Sequence, residues 1–488
     1  MALTTRTVLF CNALRCCNQI PRIRQLSSLS AERNTERAES EQDGKEDRKE
    51  SHPKSRSKQK SKWRFTSEVE EAASSDKPPP FMLGFGKAST LSIPSHLEAA
   101  ISEVQEKYTK GQHKNMREKA KHFINQLVCR KRPMEQDEIA HHSATLREHL
   151  LNKELSKLQA KGVEPSEEDM EIMNKRIREK VVHALRKHVY HQKAVPYDGQ
   201  QALMYMDGLM RSNFQHLTTI FREIKLREPT YVPRTMLDYG SGLASAMWAA
   251  NSVWPSSIYE FLNVDQSGDM HTLAQLLLQG GQEEGEPYFK QVYFRRFMPA
   301  APGRRYSLAV CDLTLLDLPD MNCRLDALFN LWTKTEDFLI ITEFGTQAGF
   351  QTILEARQFL LELHRNDKLQ DAKQLEGHVF APCPHNGACP KLNAAAICKF
   401  TQSPHPGPRT CYLVLRKGPR NSEKSFPRIV KGPHESQNTF SMDLCCPDGQ
   451  IKNAAVAKKT TDKKIFNHMK KYRHGDVIPL QETTEDNT

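Results

Sequence analysis

Four short apolar runs between Thr235 and Glu343 each end beside a carboxylate, and they constrain the fold more than any other feature of the chain. Thr235-Met236-Leu237-Asp238 is followed by Phe261-Leu262-Asn263-Val264 before Asp265. Tyr306-Ser307-Leu308-Ala309-Val310 then precedes Asp312, and Asp337-Phe338-Leu339-Ile340-Ile341-Thr342 precedes Glu343. Runs of this length, separated by stretches long enough for a helix, predict the strands of an open α/β sheet. Such sheets gather ligands at the carboxyl ends of their strands, where these acids stand. Cys411-Tyr412-Leu413-Val414-Leu415-Arg416 reads as a late strand of the same sheet.

The first run opens into Gly240-Ser241-Gly242, and Ser245 to Ser252 reads as the next helix. Glycines at such a turn let backbone and ligand approach closely, and an acid ending the next strand, here Asp265, can bond a ribose hydroxyl. A dinucleotide turn would run Gly-x-Gly-x-x-Gly, whereas the sixth position here is Ser245 and Asp238 stands ahead of the first glycine. That order favours S-adenosyl-L-methionine, with Asp238, Gly240, Gly242, Asp265 and Asp312 as its contacts; a purely structural turn is the plainer alternative. Catalysis is a separate matter. Where amino-group methylation of bases uses Asn/Asp-Pro-Pro-aromatic, the chain reads Cys311-Asp312-Leu313-Thr314-Leu315. Cys311 and Cys411, the nearby thiols that cytosine-C5 chemistry would need, lie in apolar strand-like surroundings that suit inert structural cysteines. No catalytic residue is expected.

Six of the twelve cysteines follow residue 380, so the thiols are concentrated rather than spread as in a disulfide scaffold. Cys383, Cys389 and Cys398 share the Pro- and Gly-containing stretch FAPCPHNGACPKLNAAAICKF, and Cys445-Cys446 follows in LCCPDGQI. Thiolates converging where little apolar core exists suit a soft metal or an iron–sulfur cluster, because metal–thiolate bonds then stabilise the loop. The absence of Cys-x-x-Cys pairs weighs against a zinc ribbon, but His378 and His385 keep zinc open.

The remaining segments divide by composition. Residues 1–30 carry Arg6, Arg15, Arg22 and Arg24 and no acid, as a mitochondrial transit peptide does. Residues 31–80, nearly all charged or small and closing on Pro78-Pro79-Pro80, read as a disordered linker. Residues 81–230 read as a helical domain. Ser166 and Asp169 form a capping box after Pro165, and Met170, Met173, Ile177, Val181, Leu185 and Val189 make a core stripe opposite Lys175, Arg176, Arg178, Lys180, Arg186 and Lys187. The α/β domain occupies 231–420 with a cysteine-rich insertion at 377–400, and 421–488 is a basic, β-rich extension. Within it, Ile451 to His474 holds eight Lys or Arg against one Asp, interleaved with Phe466 and Tyr472, a composition suited to phosphate and base contacts. The net charge of +11 points to a polyanionic partner. No run approaches the ~20 apolar residues of a membrane helix, so no membrane span is expected.

LDYGSGLASAMWAA, TEFGTQAGFQTILEAR, FAPCPHNGACP and LCCPDG, in this order, resemble the mitochondrial methyltransferase-like protein 17 family of small-ribosomal-subunit assembly factors, over residues 90 to 480. The resemblance implies a Rossmann-like class I methyltransferase fold that kept cofactor binding and lost activity. It also implies a [4Fe-4S] cluster on Cys383, Cys389, Cys398 and one of Cys445 or Cys446. Cys446 is preferred because the turn Pro447-Asp448-Gly449 follows it directly. The implied partners are the rRNA and proteins of the mitochondrial small ribosomal subunit, met in the matrix by a chain that is a monomer when free. An active S-adenosylmethionine-dependent rRNA methyltransferase is the alternative. The chain departs from the family at Leu243-Ala244, where a glycine is usual, at Glu343-Phe344-Gly345-Thr346 for Glu-Pro-Gly-Thr, and at His474-Gly475-Asp476 for Trp-Gly-Asp.

Overall fold

A computed structural model describes residues 63–482 apart from 76–80, 82–91, 110–112, 161, 163, 189–193, 302, 366–371, 393–395, 401–406 and 422–424. The expected transit peptide lies outside the described residues. In chain order the elements are β1 (Trp63–Phe65), α1 (Ser67–Ser74), α2 (Ser95–Thr109), α3 (His113–Val128), α4 (Gln136–Gln159), α5 (Glu167–His188), α6 (Gly199–Gly208) and α7 (Met210–Arg227). The α/β part follows with β2 (Thr235–Tyr239), α8 (Ser245–Val253), β3 (Glu260–Val264), α9 (Gly268–Leu278), β4 (Val292–Arg295), β5 (Tyr306–Asp312), α10 (Met321–Lys334), β6 (Thr335–Phe344), α11 (Gln347–Glu362), β7 (Gly377–Ala381) and β8 (Thr410–Lys417). Last come β9 (Arg428–Glu435), β10 (Thr439–Cys445), β11 (Ile451–Ala457), α12 (Lys463–Met469) and β12 (Leu480–Glu482).

The main sheet has seven strands in the order β4-β3-β2-β5-β6-β8-β7. Strands β2 to β6 run parallel, and β8 lies antiparallel to both β6 and β7. This is a Rossmann-like, mostly parallel sheet with an antiparallel strand β8 near one edge. The chain winds outward from β2 to β4 and returns across β2 to β5, so the switch point between β2 and β5 opens a crevice at the strand carboxyl ends. Strand β4 was not foreseen, because Val-Tyr-Phe-Arg is short, half-exposed and followed by a second arginine.

One face of the sheet, with Met236, Phe261, Leu308, Val310, Phe338 and Ile340, shares a single core with Leu97 and Ile101 of α2, Met206 of α6 and Phe214, Leu217 and Phe221 of α7. Of the helices in 81–230, α2, α6 and α7 therefore share their core with the sheet. The apolar faces of α2, α6 and α7 find their partner surface on the sheet. Outside this core, Phe123 and Leu127 of α3 pack with Leu209, Leu313 and Phe344, and α4 and α5 lie against each other, with the Ser166 and Asp169 side chains capping α5 as expected.

Past β8, strands β9, β10 and β11 form an antiparallel sheet in the order β11-β10-β9, and β1 pairs with β12. Here two expectations are corrected. The stretch read as linker is folded over Trp63–Phe65 and Ser67–Ser74, because Val69, Ala72 and Ala73 of α1 recur at helical spacing and are buried. Phe466 and Tyr472, read as base-stacking rings, are core residues packed with Val69, Met442, Leu444 and Ile478. A ring that is fully buried, as Tyr472 is, has no face to offer a base. Among the described residues, no helix is long and apolar enough to cross a membrane.

Candidate functional site

The crevice is built on the turn after β2. Gly240 and Gly242 adopt left-handed backbone at φ +71° and +50°, and Ala244, where the resembled family carries glycine, adopts φ 58° at the start of α8. The two glycines differ. A β-carbon at Gly240 would collide with the Thr314 side chain, so that glycine is needed for packing, whereas one at Gly242 would meet nothing nearer than Tyr205 Cε1 at 3.9 Å. The Gly242 N–H donates to Asp265 Oδ2 at 2.8 Å and the Ser267 N–H to Oδ1 at 2.9 Å, which holds this carboxylate facing the turn. Asp312 Oδ1 pairs with His216 Nε2 at 2.6 Å and accepts from Thr342 Oγ1.

Among the described residues, two buried carboxyl oxygens have no hydrogen-bond partner, Asp238 Oδ1 and Glu343 Oε2. Burial, aided by Asp312 and Asp265, pushes the Asp238 carboxyl well above the usual range, and burial raises Glu343 to about 8. Open space over Gly242, an orphaned acid beside it and an Asp265 with lone pairs to spare fit S-adenosyl-L-methionine, a cationic nucleoside with ribose hydroxyls. The thiols of Cys311 and Cys411 are buried and pushed up by burial, and Cys411 Sγ donates to the Cys398 carbonyl at 3.0 Å, so neither is poised as a thiolate nucleophile.

The second site lies where β7 runs into Pro382 and Cys383. A hydrogen bond from Cys445 pulls the Cys383 thiol down, with help from Arg357, Arg428 and Arg420 and against its burial. The same bond, together with burial and the nearby Cys383, Cys398 and Cys389 thiols, raises Cys445. Burial also raises Cys389 and lifts Cys398 to about 12. His385 Nε2 stands 3.5 Å from Cys445 Sγ, and burial holds that imidazole down at about 4. The loop backbone is clamped by cations: Arg357 donates to the His385 carbonyl at 2.9 Å and the Gly387 carbonyl at 2.6 Å, and Arg428 to the Pro382 carbonyl. Soft donors inside an electropositive frame suit an anionic metal–thiolate centre, although among the described residues no group of three or more His, Cys, Asp or Glu stands at metal-holding spacing.

The thiol beside Cys383 is Cys445, whereas Cys446, the preferred fourth ligand, packs into the core of the C-terminal module. Phe440, Met442, Leu444 and Cys446 alternate onto the core face of β10 and its continuation, so Cys445 faces the other way. His378, the other candidate imidazole, is turned to the Gly418 carbonyl at 2.8 Å.

Residues 199–479 match the family described as Mitochondrial small ribosomal subunit Rsm22. The chain belongs to the Rsm22 family. The human ribosome assembly protein METTL17, mitochondrial, is 34% identical over 322 residues, which is 64% of this chain and 70% of that protein. Rsm22-cox11 tandem protein 2, mitochondrial, of Schizosaccharomyces pombe is 24% identical over 331 residues, 58% of this chain but 43% of its own length. Magnesium protoporphyrin IX methyltransferase of Synechocystis PCC 6803 with bound SAM, at 14% identity and a TM-score of 0.29, covers 49% of this chain and 91% of its own, and adds nothing to what the strand order shows. These Rsm22 relatives are mitochondrial proteins, as is this one.

The Rsm22 match opens at the first residue of α6, and so takes in two cleft residues that the sequence reading missed. Tyr205 of α6, whose hydroxyl accepts from Asn213 Nδ2 at 2.8 Å, faces Gly242. His216 of α7 holds Asp312. No local pattern marks either one, since each reaches the crevice only because its helix packs on the sheet.

Proposed function

We propose that this Rsm22 chain is a mitochondrial assembly factor that binds the rRNA of the immature small ribosomal subunit in the matrix, on a methyltransferase-like scaffold without activity. In this reading Cys383, Cys389, Cys398 and Cys445 hold a [4Fe-4S] cluster, and Asp238, Gly242 and Asp265 hold S-adenosyl-L-methionine. The observation that carries the reading is the meeting of thiols from the β7–β8 loop and from β10. A cluster there supplies thiolate bonds that join the main sheet to the C-terminal module, while Arg357 and Arg428 keep the loop carbonyls in place and neutralise the thiolates.

Anaerobically purified protein is expected to be brown, with broad absorbance near 400 nm and about four irons and four sulfides per chain. Stoichiometric zinc in colourless protein after iron-replete expression would overturn the cluster. The orphaned Asp238 favours one rival, an active rRNA methyltransferase. Under that reading, a bulky residue at Gly242 would remove one rRNA methyl group while subunit assembly continued; under ours, no methyl group is lost.

A further inference from the structure

The rings that the C-terminal module buries have exposed counterparts on β4 and in the bend that follows it. Residues 287–305 contain Lys290, Arg295, Arg296, Arg304 and Arg305 and no acid, directly after the acidic turn of Glu283, Glu284 and Glu286 that bounds the patch. Tyr293 and Phe297 are 47% and 66% exposed, at two-residue spacing either side of the exposed Arg295. Strand β4 ends the sheet, with β3 as its neighbour on one side. Arg304 pairs with Glu260 and Arg305 bonds Gln374, but Lys290, Arg295 and Arg296 make no ion pair among the described residues.

Edge strands are commonly shielded by charge, which would account for the arginines alone. Two large exposed rings beside them work against such shielding. A partner with flat bases on a phosphate backbone accounts for both, since bases stack on aromatic rings and phosphates pair with cations. The patch also reaches the crevice. Arg296 Nη2 lies 2.6 Å from where a β-carbon at Gly268 would stand, at the start of α9 beside the Asp265–Ser267 turn. Its charge also acts on His271.

We propose that single-stranded RNA lies along β4 and the bends on either side of it, its bases on Tyr293 and Phe297 and its phosphates on Lys290, Arg295 and Arg296. This rests on the reading of the chain as an rRNA binder. The test uses the full chain and a fluorescent single-stranded U12 RNA, with anisotropy titrations at several salt concentrations and thermal melts to confirm folding. Y293A/F297A is expected to weaken binding at least tenfold, by roughly the loss of two stacked bases, with the salt slope unchanged. R295A/R296A is expected to weaken binding and to lower the slope of log K against log salt by about 1.4. Ultraviolet crosslinks are expected on the peptide spanning 288–297. If the parent chain binds RNA but both variants bind equally well, or crosslinks fall only on 451–474, the β4 site is wrong while the rRNA reading stands. A parent chain that binds no RNA removes both. Variants that keep RNA affinity yet lose a ribosomal protein would reassign the patch to protein docking.

Discussion

The crevice and the cysteine site are both loops at strand ends, yet they satisfy their buried polar groups differently. In the crevice, Asp265 and Asp312 are held by the protein's own Gly242, Ser267, His216 and Thr342, over a continuous apolar core. At the cysteine site arginines hold carbonyls, and the thiols have chiefly one another. The first arrangement leaves only Asp238 Oδ1 and Glu343 Oε2 without partners among its described buried carboxyl oxygens, whereas the second leaves its thiols largely to one another. Arg428 ties the second site to the first region's core. Besides Pro382 it binds Glu223 of α7 and the carbonyl of Gly475.

Substitutions can break or sharpen this contrast. The largest expected effect is at the thiols: serine at Cys383, Cys389, Cys398 or Cys445 abolishes bound iron, measured by anaerobic iron and sulfide analysis. Serine at Cys446 keeps the iron and costs about 1–3 kcal/mol in urea unfolding, as a hydroxyl placed in an apolar core. Iron lost equally at Cys445 and Cys446 would erase the assignment drawn from β10. Next, Arg428→Ala leaves the Pro382 and Gly475 carbonyls unpaired and Glu223 with Arg227 and the Tyr412 hydroxyl. A loss of about 3–5 kcal/mol is expected by urea unfolding, as for other broken buried ion pairs.

A smaller pair of effects separates the two glycines. Gly240→Ala should destabilise by about 2–4 kcal/mol, from the Thr314 collision added to left-handed strain, and Gly242→Ala by about 1–2 kcal/mol, from strain alone. Equal losses would show that both glycines serve packing. The smallest effect is pH-dependent. Glu343 titrates near about 8 in the fold against 4.5 ordinarily, so the fold favours its neutral form. Its contribution is whole below the ordinary value and is lost as pH rises through the folded one. Glu343→Gln should therefore raise Tm at pH 9 relative to the parent, with the gain shrinking towards pH 5. A gain independent of pH would mean that the carboxyl is not neutralised by burial.

Much of the main sheet was legible. Strands β2, β3, β5, β6 and β8 are covered on both faces, and a strand buried on both sides must be apolar throughout, which makes it visible as a run. Strand β4 was hidden for the converse reason: it lies at the edge, and its exposed positions carry Tyr293 and Arg295. The facing of Cys445 and Cys446 was legible too, in the alternation of Phe440, Met442 and Leu444, but the adjacent turn drew the reading to Cys446, the thiol on the core face. The aromatic residues of 451–474 misled because composition counts rings without telling which side of a helix or turn they occupy.

By itself the sequence determined the strand and helix periods, the glycine turn with its acids and the crowding of thiols after residue 380, because each of these is a pattern among near neighbours. Tertiary structure decided which distant residues meet. Tyr205 with Gly242, His216 with Asp312, Glu223 with Arg428 and Cys383 with Cys445 are pairings set by the order of strands and by the faces on which helices pack. No local spacing encodes them, since such a contact depends on where the intervening chain crosses the sheet.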